Sequence, residues 1–233
     1  MKVIIDRARL ARRARLAHGA SLGGLLALLG SVALTLFRPD LATPGAILLV
    51  AGFAVATIGI AQANRWVKRP RPEDILDQAL KGLDDHYRLY HYLDSAPPHI
   101  LLTPGSLLVI ECRAGEGVFA YRGGRWRQKI TMGKALRFFV EEPLGDPLRD
   151  AQRSAELLGR SVANRLPAHQ AVPVRAVVVF THPAAAVSSS GAPLPVLLPK
   201  QLRSHAARGE RPLPEETYAA VRAALDADRR SGS

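Results

Sequence analysis

The chain has 233 residues, 48% of them apolar and 6% aromatic, and a formal charge of +12. That length suits one ordinary domain with accessory segments, and the single cysteine, Cys112, excludes an intramolecular disulfide and any multi-cysteine metal centre. Residues 1–18 carry +5 and residues 65–71 carry +4, so the body from residue 72 onward is left with only about +3; the high pI is chiefly a membrane-flank signal, and weak evidence for a nucleic-acid groove.

Residues 1–18 form a basic segment whose stretch 3–17, with Val3, Ile4, Ile5, Leu10 and Leu16 beside the arginines, reads as an amphipathic helix lying on a membrane surface. Residues 19–37 and 45–64 follow as two transmembrane helices; their cores, 19–37 and 45–63, contain no charge. At about 1.5 Å of rise per residue each is long enough to cross a hydrocarbon core of about 30 Å. The link RPDLATP is too short for a domain, so the two spans are antiparallel. A signal peptide has one apolar run of about 7–15 residues, whereas here a second full span follows the first. Basic residues stand before the first span and after the second (Arg65, Lys68, Arg69 and Arg71 in the linker 65–71), which predicts a bacterial-type inner membrane with both termini cytoplasmic. Gly19, Gly23, Gly24, Gly30, Gly45, Gly52 and Gly59 permit close helix packing, within the hairpin or between copies as a homo-oligomer.

A cytoplasmic domain then occupies 72–205, with a helix and tail at 206–233. Residues 72–83 have helical spacing, with Glu73 and Asp74 in the first turn, where the helix dipole favours them. HYRLYHYL (86–93) is strand-like and SAPP breaks it. HILLT and SLLVIECR are apolar runs joined by Pro104-Gly105, a hairpin of buried strands. Residues 115–130 pair further across Gly123-Gly124. Residues 146–166 form a helix with Asp146 as N-cap and Pro147 at its first position. VPVRAVVVFT (172–181) is a strand buried on both faces, PVLLPKQL a short strand leading into a turn, and 214–225 a terminal helix. The order gives an α/β domain with one mixed sheet flanked by helices.

Four stretches in this order, HILLTPGSLLVIECR, Gly124 with Trp126, DPLRDAQRSAELL and PVRAVVVFT, resemble the nuclease-related domain, NERD, over roughly 72–205. The resemblance implies a PD-(D/E)XK, restriction-endonuclease-like core and a site for Mg²⁺ or Mn²⁺. In such a site carboxylates bind the metal, the metal activates water and stabilises phosphodiester charge, and a lysine assists. Matched position by position, Glu73 is the acidic residue of the first helix, Glu111 the carboxylate of E-x-K, and Arg113 stands at the lysine. Pro98 stands where the family has aspartate, His99 matches its histidine, Asp150 stands at its glutamine and Asp146 at its asparagine. Proline offers no ligand, and a planar guanidinium is neither a compact ammonium nor a ready base. Asp94, four residues upstream, is the available substitute ligand. The expectation is a membrane-anchored nuclease-like fold that binds nucleic acid, a protein or the bilayer surface and has lost its cleavage site. The alternatives are an active metal-dependent nuclease and a structural membrane scaffold.

Other candidates carry less chemistry. Glu111 and Arg113 share a strand face and form an ion pair as readily as a metal site. His86, His91 and His99 lack a recognised ligand spacing, Cys112 has the alternate, core-facing parity, and Ser188-Ser189-Ser190-Gly191 is a loop. There is no G-x-x-x-x-G-K-[ST] loop, and no pattern points to a small-molecule substrate. Arg122, Arg125, Arg127, Lys129, Lys134 and Arg137, with Tyr121 and Trp126 between them, read as a surface for phosphates and bases, for lipid headgroups, or for solvent alone.

Overall fold

The structure is a computed structural model that describes residues 1–66, 70–94, 96–129, 144–167, 169–208 and 211–231. Lys68, Arg69, Lys134 and Arg137 lie outside the described residues. The chain divides into two compact units, one of them composed of 1–8, 72–131 and 144–233.

The other unit contains a helical hairpin. Helix α1 (Arg7–Phe37) is followed by a short 3₁₀ turn at Pro39–Leu41 and by α2 (Ala42–Trp66). Segments Leu10–Phe37 and Pro39–Ala63, of mean hydropathy 2.0 and 2.1, are long and apolar enough to cross a membrane. Their large side chains face outward: Leu26 is 60% exposed, Phe37 82% and Val50 69%. The hydroxyls of Ser21, Thr35 and Thr57 donate to the carbonyls of Ala17, Ser31 and Phe53 one turn earlier at 3.0, 2.9 and 2.8 Å, which satisfies them without water. Four glycines set the helix approach. A Cβ at Gly24 would collide with the Ala56 backbone and one at Gly59 with that of Ser21; Gly45 faces Thr35 and Gly52 faces Ala27. A Cβ at Gly19, Gly23 or Gly30 would meet open space.

The domain holds two sheets. A six-stranded sheet has the order β1 (Lys2–Ile5), β2 (Arg88–His91), β3 (His99–Leu102), β4 (Leu107–Arg113), β7 (Val174–Phe180), β9 (Val196–Leu197). β2, β3 and β4 are antiparallel neighbours, while β1 on β2, β4 on β7 and β7 on β9 are parallel. The β3–β4 hairpin closes through Thr103, whose hydroxyl accepts from Ser106 N at 2.9 Å. Helices α3 (Pro72–Ala79) and α5 (Pro199–Ala206) cover one face, burying Leu76, Leu80 and Leu202 on Leu101, Leu108, Ile110 and Val177. Helices α4 (Pro147–Ala163) and α6 (Glu215–Ser231) cover the other, where Leu158, Val162, Val221 and Leu225 pack with Tyr90, Ile100 and Val109. Asp146 caps α4, accepting from Arg149 N at 3.2 Å. A three-stranded sheet, β6 (Arg125–Lys129), β5 (Gly117–Arg122), β8 (Ala185–Ser188), brings Phe119 and Ala185 together with Phe180, Leu148 and Ala151.

Three expectations are corrected. Residues 2–5 are a strand and not the start of a surface helix: Ile4 lies opposite Tyr90 and is buried in the core, because the apolar run 3–5 finds an open edge on β2. Residues 199–206 are helical where a turn is expected, since Pro199 sits at the first helical position and the Gln201 side chain accepts from Leu198 N at 2.8 Å. Strands β5 and β6 do not extend the main sheet but pair with β8 in a sheet of their own. The unit also reaches beyond 72–205, taking in the first eight residues and α6.

The hairpin and β1 each generate a prediction. In a Cys112→Ala background, Gly24→Leu is expected to drive spin labels on Leu22 and Ile58 apart, while Gly23→Leu leaves their distance unchanged; equal shifts would contradict the packing. Ile4→Ala is expected to cost the domain about 2–5 kcal/mol, as for other buried large-to-small changes, read by urea unfolding of the full chain in detergent. An unchanged midpoint would remove β1 from the core.

Candidate functional site

The C-terminal end of β4 carries the residues on which chemistry was expected. Even-numbered side chains Leu108, Ile110 and Cys112 face α3 and α5, whereas Glu111 and Arg113 have the other parity and meet α4. The Arg113 guanidinium is 13% exposed and bridges two carboxylates. Its Nη1 donates to Glu111 Oε1, and its Nη2 donates to Asp150 Oδ2 at 2.5 Å. Nε donates to the Leu144 carbonyl and Nη1 to that of Cys112, both at 3.2 Å. The Arg113 carbonyl accepts from Thr181 N at 2.8 Å, which fixes the strand end against the end of β7. Glu111 is largely buried, 15% exposed, while Asp150 is half open to solvent.

Pro98 immediately precedes β3. The Pro98 carbonyl accepts from Tyr92 N at 2.8 Å and so closes the turn between β2 and β3. Tyr92 takes φ 60°, an unusual conformation for a non-glycine residue. Asp94 is half-buried in the same turn.

Glu73 is buried on α3, on the opposite face of the sheet from Asp150, and its Oε2 accepts from the Tyr92 hydroxyl at 2.7 Å. Nearby, His91 and His99 share a hydrogen bond between their Nδ1 atoms at 2.7 Å, and His91 Nε2 lies 3.1 Å from Asp77 Oδ1. In that contact one imidazole nitrogen donates and the other accepts, so the two Nδ1 atoms hold a single proton between them. His86 is exposed against Asp84, with Nδ1 3.3 Å from Oδ1. Among the described residues no three His, Cys, Asp or Glu side chains converge as a cation site. Cys112 packs against the α3–α5 core, where burial first and then the Glu111 carboxylate push its thiol well above the usual range.

The basic hairpin divides by face. Gly123 and Gly124, at φ 59° and 77°, make the two-residue turn that joins β5 to β6. Arg122, Arg125 and Arg127 are exposed on one side. Tyr121 and Trp126 lie on the other, partly buried and packed against Phe180. Lys129 ends β6 opposite Val118. Ser188 ends β8, and Gly191 turns the loop after it at φ 78°.

Sequence reasoning did not single out Asp150 or Tyr92 as partners of the site. The spacing that places Asp150 one turn into α4 after the Asp146 cap was available, but its contact with Arg113 depends on how α4 docks on β4.

Comparison of the chain with curated proteins returned no match, and comparison with solved structures returned none. Strands β2 to β7, the helices α3 and α4 and the Glu111–Arg113 corner all lie within residues 70–181, the segment that matches the family model of NERD, the nuclease-related domain, and two candidate membrane-spanning helices precede it in the chain.

Proposed function

We propose that this chain is a membrane-anchored protein whose NERD domain binds a partner and does not cut nucleic acid. The observation that carries this reading is Arg113. A divalent cation in such a site draws on carboxylates left free to coordinate it. Here a permanent cation, the guanidinium, already lies between Glu111 and Asp150 and donates to both. A metal ion would have to displace it or accept a like charge at contact distance. Pro98, where the resemblance leads one to expect aspartate, adds no oxygen from its side chain, and Glu73 accepts from the Tyr92 hydroxyl. These residues do not fit Mg²⁺ or Mn²⁺.

The anchoring part rests on the two apolar helices and their outward-facing leucines, valines and isoleucines. The β1–β2 pairing supports the expected topology, because strands of one sheet lie on one side of a bilayer and so bring both outer ends of the hairpin to that side. The basic flanks favour the cytoplasmic side.

The cleavage test uses the full chain in detergent with single- and double-stranded DNA and RNA in Mg²⁺ or Mn²⁺, beside Glu111→Ala. The expected result is no cleavage above that variant; metal-dependent cleavage abolished by Glu111→Ala would make the protein an enzyme. The structural role of the guanidinium has its own consequence. Arg113→Leu leaves Glu111 buried without its cation and is expected to cost roughly 2–4 kcal/mol. Asp150→Asn, at a half-exposed position, should cost about 1 kcal/mol or less. Urea unfolding measures both, and the reverse order of costs would contradict the assignment.

A further inference from the structure

The exposed face of the three-stranded sheet has an unusual composition. Its registers place Val118 beside Ala186, Ala120 between Arg127 and Ser188, and Arg122 directly opposite Arg125. Three arginines therefore share one face with small side chains and a half-exposed valine, and the strands contribute no acidic residue to it. Among the described residues, Arg122, Arg125 and Arg127 form no ion pair with any carboxylate. Like charges set directly across two strands oppose the pairing that holds them. A sheet that keeps such a pair gains from an anionic partner that offsets the repulsion.

We infer that this face docks on an anionic lipid surface. The inference rests on the membrane-anchored reading, which keeps the domain within reach of headgroups. Two features favour a bilayer over nucleic acid. Single-stranded binding relies on aromatic side chains that stack bases, and here Tyr121 and Trp126 point away from the face into the core, with Trp126 5.6 Å from Phe180. Duplex reading relies on an element that enters a groove, and the strands of this face set small side chains between the arginines. What it offers is charge without base recognition, with half-exposed Val118 at one end. A planar anionic surface needs no more: each cation near it strengthens partition by roughly fivefold.

The test places the full chain in nanodiscs of phosphatidylcholine alone or with phosphatidylglycerol. A fluorophore on Ser188→Cys, in a Cys112→Ala background, reports energy transfer to headgroup acceptors. Transfer is expected to rise with phosphatidylglycerol, to fall as salt shortens the screening length from about 8 Å to about 3 Å, and to lose its lipid dependence in Arg122→Gln/Arg125→Gln/Arg127→Gln. Equal transfer in both lipids would overturn the inference. So would duplex or single-stranded oligonucleotide binding that the triple variant abolishes while lipid composition has no effect. If alkaline carbonate extracts the chain from membranes, the anchoring reading fails by itself, and sedimentation with phosphatidylglycerol against phosphatidylcholine vesicles decides the docking. There the triple variant should weaken partition by about 100-fold, and an unchanged partition would end the proposal. Removing the Arg122–Arg125 repulsion should leave that variant at least as stable to urea, so loss of binding will not reflect loss of fold.

Discussion

Strand β1 lies against β2 in parallel, with Lys2 opposite Arg88 and Ile5 opposite His91, and both apolar helices lie in the chain between them. Parallel strands cannot be joined by a tight turn; they need a crossover long enough to return the chain to the same end. In most α/β domains one helix of the domain does this, whereas here the crossover contains the two-helix hairpin. The consequence is a domain whose sheet begins before the hairpin and resumes after it. Ile4 fills the core beside Tyr90 and Leu93, so the first residues are structural and not merely a charged leader. The basic residues that follow β1 then begin α1 itself, at Arg7.

The proposed loss of cleavage rests on the corner at Glu111. A metal site and an ion pair demand similar things of a carboxylate: a fixed oxygen, a nearby positive charge and partial exclusion of water. Arg113 meets those demands from within the chain, donating to Glu111, Asp150 and two carbonyls, and thereby ties β4 to α4 and to the segment before it. Asp150 supplies the second acid that Arg113 bridges. The Pro98 carbonyl closes the β2–β3 turn on Tyr92.

Local patterns carried much of the architecture. The Pro104-Gly105 hairpin, the Asp146 cap with Pro147 behind it, the glycine pair between β5 and β6 and the long β-branched run of β7 each follow from contacts within a few residues, and each was readable. The failures have non-local causes. Residues 2–5 alternate poorly and precede arginines, so a helix reading competes until the edge of β2 is known to be open. The apolar run 195–198 reads as a longer strand because Pro199, a helix-start residue, also serves as a turn residue. Tyr121 and Trp126 interleave with arginines in sequence, yet strand parity sends them to the opposite face, where Phe180 waits. Of the candidate site, the Glu111–Arg113 pair followed from parity alone, while Asp150 needed the docking of a helix far along the chain.

Binding without cleavage turns on whether Glu111 sees a metal ion or a guanidinium. Manganese titration of the full chain in detergent, followed by the paramagnetic signal of free Mn²⁺, asks this directly. No loss of free signal beyond that seen with Glu111→Ala is the predicted result. A stoichiometric site that disappears in Glu111→Ala would show that the cation displaces Arg113 and would contradict the account.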